Sequence, residues 1–487
     1  MLLSRKPVDR YNAVYLIILL NGFGILITWN MWITIAPAYY VKYKLIEVDE
    51  NGTEYASPYA ANFLSYLMLA SNLPNFALNL FNLFFTFKGS LQKRISLSLM
   101  VMALMCLITL IFTVIDTSSM ITIFFIITIA TVVIQNAACG LYQNSFYGLV
   151  AVFPPRYTNA LFLGSNICGT FVSIVNIITL LVTKDIKTAA FFYFLVSLLA
   201  VLACFGSLFV LVRLDFCQYY MQRIAEKMET KNLDKTEFEQ IDSKNKIGLK
   251  TKAHDDITEI LNNSAADDLL TIDNKLATNF RMKLSLYCDI FKKKLITELY
   301  KCISIKIRTQ CFNIWFIFVV TLVLYPTVML DVKFYSETGK YNFFIPEKLF
   351  IPVTTYLFFN FFACFGSFLA NFVQWPKSKL LVVPVVAQVA FIPLMLFCNF
   401  RPAHRTWGVW IYNTWIYLAL VIAMSTCSGY FSALALMYAP KQVEASKSSV
   451  AGMIAAFFLI FGVVCGALLT PVILWFIDSA GPFAPRK

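Results

Sequence analysis

Charge is scarce in this chain, and its placement excludes whole classes of chemistry. Asp, Glu, Lys and Arg make up only 14% of 487 residues, against about 25% in a soluble globular domain. Histidine occurs twice, as His254 and His404, both in loops. Inside the long apolar runs no acidic or basic residue stands away from the ends. A proton-coupled carrier needs a titratable group within the membrane, and an ion pump needs carboxylates. An intramembrane hydrolase needs an activated nucleophile or a metal site. With none of these available, the expectation is a protein that is not an enzyme and uses no cofactor and no metal. The 12 cysteines contain no CxxC pair and read neither as a zinc pattern nor as a disulfide framework. They are expected to be small, soft packing residues. No cleavable signal peptide is expected either, because the apolar run 13–36 is too long for an h-region.

Apolar residues are abundant: 59% are hydrophobic, with 46 Phe. Repeated apolar runs of 18 or more residues point to an all-α polytopic membrane protein. Eleven spans are expected, at 13–36, 61–86, 95–115, 120–152, 160–182, 189–212, 311–331, 346–375, 380–398, 408–438 and 451–477. Six precede a large polar loop and five follow it. This suggests an N-terminal bundle over 1–212, a polar and partly disordered cytoplasmic loop over 213–308, and a C-terminal bundle over 309–487. A short amphipathic stretch near 284–307 has the pattern of a helix lying on the membrane face.

The formal charge of +13 raises the question of nucleic acid. However, 18 of the 40 Lys and Arg lie in Arg213–Arg308 beside 15 acidic residues, with no nucleic-acid-reading motif. Lipid headgroups next to a cytoplasmic loop account for the basic balance, and no nucleic-acid partner is expected. Lys and Arg in the short loops divide evenly between the two sides. Arg213, Lys301, Lys306 and Arg308 at the ends of the large loop, together with the sequon Asn51-Gly52-Thr53, favour a cytoplasmic N-terminus and an extracellular C-terminus. Asn51 is then the expected glycosylation site, while the sequon at Asn262 falls on the opposite side. The plasma membrane is the expected location.

Polar residues inside the spans are mostly uncharged, and they form rows. Over 350–375, Asn360, Ala363, Ser367, Asn371 and Gln374 recur at spacings of three and four, which puts them on one face of a helix. Asn72, Asn75, Asn79 and Asn82 share a face of the second span. Asn136, Gly140, Gln143 and Tyr147 share one on the fourth. Hydrocarbon cannot satisfy amides, so these rows must face protein or a wet cavity. One asparagine is commonly interhelical glue, contributing about 0.6 kcal/mol. Several aligned rows favour a lined pathway. Gly140 admits close approach of either another backbone or a solute. Trp29, on the Gly22, Leu26, Trp29, Ile33 face, has two readings, packing or stacking on a planar ligand. Amides donate and accept, so a neutral hydrogen-bonding solute is the expected cargo.

The first span carries a resemblance. Residues Asp9–Asn30, DRYNAVYLIILLNGFGILITWN, are similar to the opening of the equilibrative nucleoside transporters, which read DRY followed by G-x-G-x-x-x-P-W-N. Gly22, Gly24, Trp29 and Asn30 match, with Thr28 in place of the proline. Leu73-Pro74, Gln143 with Phe146 and Gly148, and Pro155-x-Tyr157-Thr158 continue the series. Tyr325-Pro326, Phe359-Asn360, Trp375-Pro376, Ser428-Gly429-Tyr430 and Ala439-Pro440-Lys441 complete it. The resemblance implies an alternating-access fold of eleven transmembrane helices, six plus five, like the major facilitator superfamily. It also implies facilitative, uncoupled passage of nucleosides. By position it implies a central site including Leu26, Trp29, Asn72, Asn75, Gln143, Tyr325, Asn360 and Val463, with Gln143 a substrate contact.

Three stretches depart from the family pattern: Asn72 and Asn75 stand at positions usually apolar in the family, its glycine-rich segment reads Gly164-Ser165-Asn166, and its helix-8 motif is altered. Its F-N-x-x-D-x-x-G-R is here Phe359-Asn360-Phe361-Phe362-Ala363-Cys364-Phe365-Gly366-Ser367, so Ala363 replaces the Asp and Ser367 the Arg. Both are expected in the substrate site, with selectivity shifted toward nucleobases or another neutral solute. Losing both charges together leaves no stranded ion. Two alternatives are a carrier of amines or organic cations, which the lack of an intramembrane carboxylate disfavours, and a transport-dead sensor or scaffold using the basic loop. Deleting about 231–273 separates the last from the first. A transporter keeps radiolabelled uptake at the parent rate, whereas a scaffold loses its role.

Overall fold

The computed structural model describes residues 7–48, 54–60, 62–84, 91–182, 185–223, 226, 305–336, 340–402 and 405–481. Asn51, His254, Asn262, His404, Lys301 and the amphipathic stretch near 284–304 lie outside them.

Among the described residues the only strands are β1 (Ile46–Val48) and β2 (Glu54–Ala56), an antiparallel pair after the first helix. The remaining framework is helical. In the first half, α1 is Ala13–Ala36, α2 Phe63–Phe84, α3 Leu91–Val114, α4 Ile121–Val150, α5 Pro155–Val182 and α6 Ile186–Leu211. In the second, α7 is Ile305–Leu324, α8 Glu347–Leu369, α9 Val382–Leu396, α10 Thr414–Lys441 and α11 Ser448–Ser479.

Nine helices among the described residues are long and apolar enough to cross a membrane. At the other two expected positions stand α2 and α9. The four asparagines of α2 dilute the hydropathy of its 22 residues. α9 is short and passes through a 3-10 turn at Gln388–Ala390, where Pro393 denies Val389 a hydrogen-bond donor.

Within the first half α1 packs on α5 and α6, α2 on α4, and α3 on α4 and α6. In the second, α7 packs on α10 and α11, and α8 on α10. Contacts of α4 with α11, α5 with α8 and α10, and α2 with α11 join the halves, and Met1–Gln218 with Ile305–Lys487 forms one compact unit. Large apolar side chains such as Leu16, Met100, Ile126 and Leu199 point outward, as lipid solvation requires.

Helix ends are closed by side chains. Asp9 Oδ1 and Oδ2 accept the N–H groups of Val14 and Tyr15 at 3.0 and 3.2 Å, and Oδ2 also accepts the Tyr157 hydroxyl at 3.0 Å, tying the start of α1 to that of α5. Asp185 caps α6 by accepting from Lys187 and Thr188, and the Thr188 hydroxyl and those backbone N–H groups hold its carboxyl below the usual carboxylate range. Asn413 Oδ1 accepts Trp415 N–H at 2.8 Å ahead of α10.

The expected span 346–375 is corrected at its C-terminal end. α8 begins at Glu347, runs through wider π turns at Pro352–Leu357, and stops at Leu369. The chain then turns, with Asn371 N–H reaching back three residues to Phe368 O at 3.1 Å. Asn371 and Gln374 therefore do not extend the helical row.

Among the tightest interhelical approaches is that between α1 and α5. A Cβ on Gly22 would fall 2.0 Å from Leu161 O, and one on Gly164 2.0 Å from Leu19 O. Small residues let the backbones touch, which is what membrane helices use in place of a hydrophobic drive. Gly164→Ala puts a methyl against a backbone carbonyl that cannot rotate away, at an overpacking cost of about 1–3 kcal/mol. Its purified protein is expected to melt several degrees lower, while Gly206→Ala, with nothing within 4 Å of the added Cβ, melts like the parent.

Candidate functional site

A cavity of 260 Å³ lies where α1, α2, α4 and α5 face α7, α8, α10 and α11. α2 and α4 approach closely because Gly140 has no side chain: a Cβ there would sit 2.5 Å from the Asn75 carbonyl oxygen. Of the two readings of Gly140, the structure selects backbone approach. That contact presents Asn72, Asn75, Asn136 and Gln143 along one wall.

These amides are only partly occupied by the protein. Asn72 Nδ2 donates to Met68 O and Asn136 Nδ2 to Val132 O, both at 2.9 Å, which leaves their carbonyl oxygens open. Asn75 Oδ1 accepts Asn79 Nδ2 at 3.1 Å, leaving its NH₂ open. Gln143, 5% exposed, bonds no group among the described residues. An unbonded amide in a membrane interior must meet water or solute. The wall therefore offers both acceptors and donors.

The opposite wall is built differently. Tyr325 lies on Phe359 with ring centroids 3.7 Å apart and planes 11° off parallel. Asn360 Nδ2 is surrounded by acceptors: Tyr356 O at 2.9 Å, the Tyr325 hydroxyl at 3.1 Å and Ser173 Oγ at 3.2 Å. Ala363 contributes only a methyl, and its carbonyl lies 2.0 Å from where a Cβ on Gly429 would be. Val463, Leu459 and Phe318 complete the apolar part, and Leu26 and Trp29 of α1 close a third side. Among the described residues, no acidic or basic residue or histidine lines the cavity.

Nine of the ten expected site residues are thus brought together: Leu26, Trp29, Asn72, Asn75, Gln143, Tyr325, Asn360, Ala363 and Val463. Ser367 is the exception, and its expected place against solute is corrected. It is fully buried, its hydroxyl donating to Cys364 O at 2.9 Å and accepting from Asn166 Nδ2 at 3.1 Å. The lower half of the α2 row is corrected likewise. Asn79 and Asn82 are buried in helix contacts, with Asn82 Nδ2 on Asn144 Oδ1 at 2.8 Å and on Ser145 Oγ at 3.1 Å.

Thr321 and Ser428, whose hydroxyls pair at 2.9 Å, and Asn30 and Asn166 also line the cavity; Asn30 and Ser428 stood in the family motifs without an expected site role, and Thr321 and Asn166 were not expected there. Thr321 stands one helical turn before Tyr325, the residue that follows the end of α7, and that spacing was the available signal.

At the end of the bundle where α1 begins, polar groups bind the halves together. Asn159 Nδ2 donates to Ser367 O at 2.8 Å and to Asn371 Oδ1 at 2.9 Å, and Asn371 Nδ2 reaches the Tyr15 hydroxyl at 3.4 Å. Asn144 Nδ2 donates to Met453 O at 2.9 Å. Toward the other end, Asn30, Gly169, Tyr325 and Asn360 separate the central cavity from a second one of 340 Å³.

A many-helix membrane bundle with a neutral, amide-lined hollow enclosed between its halves is the architecture of a solute transporter. A family model described as Nucleoside transporter matches residues 129–475. Human equilibrative nucleoside transporter 1 is 28% identical, covering 96% of this chain and 98% of its own. Mouse equilibrative nucleoside transporter 2 is 26% identical, with 96% and 98% covered. The crystal structure of the human organic anion transporter MFSD10 shares the fold, with a TM-score of 0.52, 11% identity and coverage of 98% and 96%. The chain belongs to the nucleoside transporter family.

The polar seal can be tested directly. Asn159→Ala deletes two bonds across the halves, and interhelical bonds of this kind contribute about 0.6 kcal/mol each. In an Ala363→Cys background, its removal is expected to raise thiol labelling from the sealed side about fivefold.

Proposed function

We propose that the protein carries nucleosides passively down their gradient by alternating access, with selectivity shifted toward nucleobases. The observation that supports this reading is the amide wall of Asn72, Asn75, Asn136 and Gln143, with hydrogen-bonding capacity to spare, in a cavity whose described lining carries no charged side chain. Base edges alternate donors and acceptors, and such a wall complements them without a compensating charge. Trp29, Leu26 and the Tyr325–Phe359 pair offer flat surface to a heterocycle. Asn360 and Val463 bound the remaining side. At Ala363 the wall has only a methyl where the family pattern has a carboxylate, so the ribose hydroxyls lose an acceptor there. That loss favours the free base relative to the nucleoside.

In this reading the six-helix bundle of 1–212 and the five-helix bundle of 309–487 rock about the central site. The polar seal closes the cytoplasmic side and the second cavity faces outward, at the plasma membrane with the N-terminus inside. Organic cations fit poorly because no carboxylate lines the hollow to balance their charge.

Uptake of radiolabelled uridine in transporter-null cells tests the reading. Gln143→Ala is expected to cut uptake at least tenfold with surface expression unchanged, and uracil to compete better than uridine itself. Neither a pH gradient nor a membrane potential should drive accumulation. Unchanged uptake by the variant removes Gln143 from the site, and concentrative uptake refutes the uncoupled mechanism.

A further inference from the structure

The partition between the two cavities turns on a group with more acceptors than it needs. Asn30, Gly169, Tyr325 and Asn360 line both cavities. The Asn360 amide nitrogen carries two hydrogens. Three acceptors lie within reach: Tyr356 O at 2.9 Å, the Tyr325 hydroxyl at 3.1 Å and Ser173 Oγ at 3.2 Å. Tyr356 and Tyr325 belong to the second half of the chain, like Asn360 itself. Only Ser173, on α5, belongs to the first half. Its hydroxyl donates to Gly169 O at 2.8 Å, so it meets Asn360 as an acceptor. Gly169 seats the amide on α5, since a Cβ there would fall 2.2 Å from Asn360 Oδ1.

If the halves part at this point, Asn360 gives up Ser173 and keeps both hydrogens bonded within its own half. No donor is stranded in the membrane interior, and a stranded donor is what makes a lost bond costly. Asn159 is built the opposite way. Both acceptors of its Nδ2, Ser367 O and Asn371 Oδ1, lie in the other half, so parting strands that nitrogen altogether. Asn144, Asn166 and Asn371 add bonds across the halves on the same side, to Met453 O, Ser367 Oγ and the Tyr15 hydroxyl. Among the described residues, Asn360 to Ser173 is the one side-chain bond across the halves toward the second cavity. The π turns Pro352–Leu357 also lie on α5 there, but Thr354 and Thr355 donate to Phe350 O and Met329 O, inside their own half.

We infer that Asn360 is a latch between the halves, that Ser173 is the residue positioning it, and that the closed central cavity opens first toward the second cavity. The inference rests on the alternating-access reading above and adds an order of opening to it. The form open toward the second cavity is reached with fewer lost bonds than the form open past Asn159, and is the more populated of the two.

A cysteine on the cavity wall, Ala363→Cys, reports opening to a membrane-impermeant thiol reagent applied to intact cells or to inside-out vesicles. The chain without that substitution supplies the background. Labelling is expected to be faster from the side opposite to the one that Asn159→Ala opens. Ser173→Ala should raise labelling from that faster side about threefold, the effect of one interhelical bond, and leave the other side unchanged. Gly169→Ala, which displaces the Asn360 amide, should act on the same side. Ser173→Thr keeps the hydroxyl and should label like the Ala363→Cys chain. Equal labelling from the two sides, or faster labelling past Asn159, overturns the order of opening. No change in both Ser173→Ala and Gly169→Ala, or an equal rise from both sides, overturns the latch. Uptake of radiolabelled uridine by the unsubstituted chain is followed in parallel. Its absence overturns the nucleoside reading, while the labelling alone decides the latch.

Discussion

Hydrocarbon cannot form hydrogen bonds, and that constraint sorts every amide in this protein. Once an asparagine or glutamine is placed in a spanning helix, it must find a protein partner or a wet surface. The structure uses both options, and it segregates them along the bundle. Near the start of α1 and α5 the amides bond across the two halves, as Asn159 does to Ser367 O and Asn371, and Asn144 does to Met453 O. Toward the middle the amides of α2 and α4 stop pairing with the other half, and Gln143 bonds no group among the described residues, while Asn360 still reaches Ser173. A seal and a solute surface are therefore made from one type of side chain. Only the presence of a facing acceptor distinguishes them.

This explains what was legible in the sequence. Apolar runs located the helices, because lipid demands an apolar surface for about 20 residues whatever the packing. Amide rows located the polar faces, because helical periodicity is local. The distance of the neighbouring helix at each rung is not local. Asn72 and Asn82 share a face of α2, yet ten residues of rise separate them by about 15 Å. Over that length α4 changes from offering Gly140 and an open hollow to offering Asn144 and Ser145. Likewise, the apolar sequence after Leu369 gave no reason to end α8. The turn there is set by Asn371, which bonds Asn159 of α5 and Tyr15 of α1, neither of them nearby in sequence.

The family's opening motif gains a physical account as well. Asp9 caps α1 and receives the Tyr157 hydroxyl, while Arg156 NH2 donates to Asn12 Oδ1 at 2.6 Å. Gly22 lies against Leu161, and Gly24 would place a Cβ 2.4 Å from Cys204 Sγ. These residues fix how α1 lies on α5 and α6. Trp29 and Leu26 are then carried to the cavity on a helix whose position is already determined. The matched glycines hold the frame, and the matched Trp and Gln reach the hollow.

The missing charges of α8 can be understood with that frame in place. An arginine at position 367 would have to point where Ser367 now sits fully buried between Asn166 and the Cys364 carbonyl. Asn166 already occupies the space and the hydrogen-bonding capacity that a guanidinium would require. A carboxylate at position 363 would then face the cavity with no cation near it, raising its cost by several kcal/mol relative to a neutral side chain. Replacing either charge alone is thus unfavourable, and replacing both is consistent only if a neutral group takes over the contact with α5. Asn166 on α5 does so, bonding Ser367 through its hydroxyl. The neutral cavity and the Asn166–Ser367 hydroxyl contact go together, whereas the Asn159 bond to the backbone carbonyl of residue 367 does not depend on the side chain there.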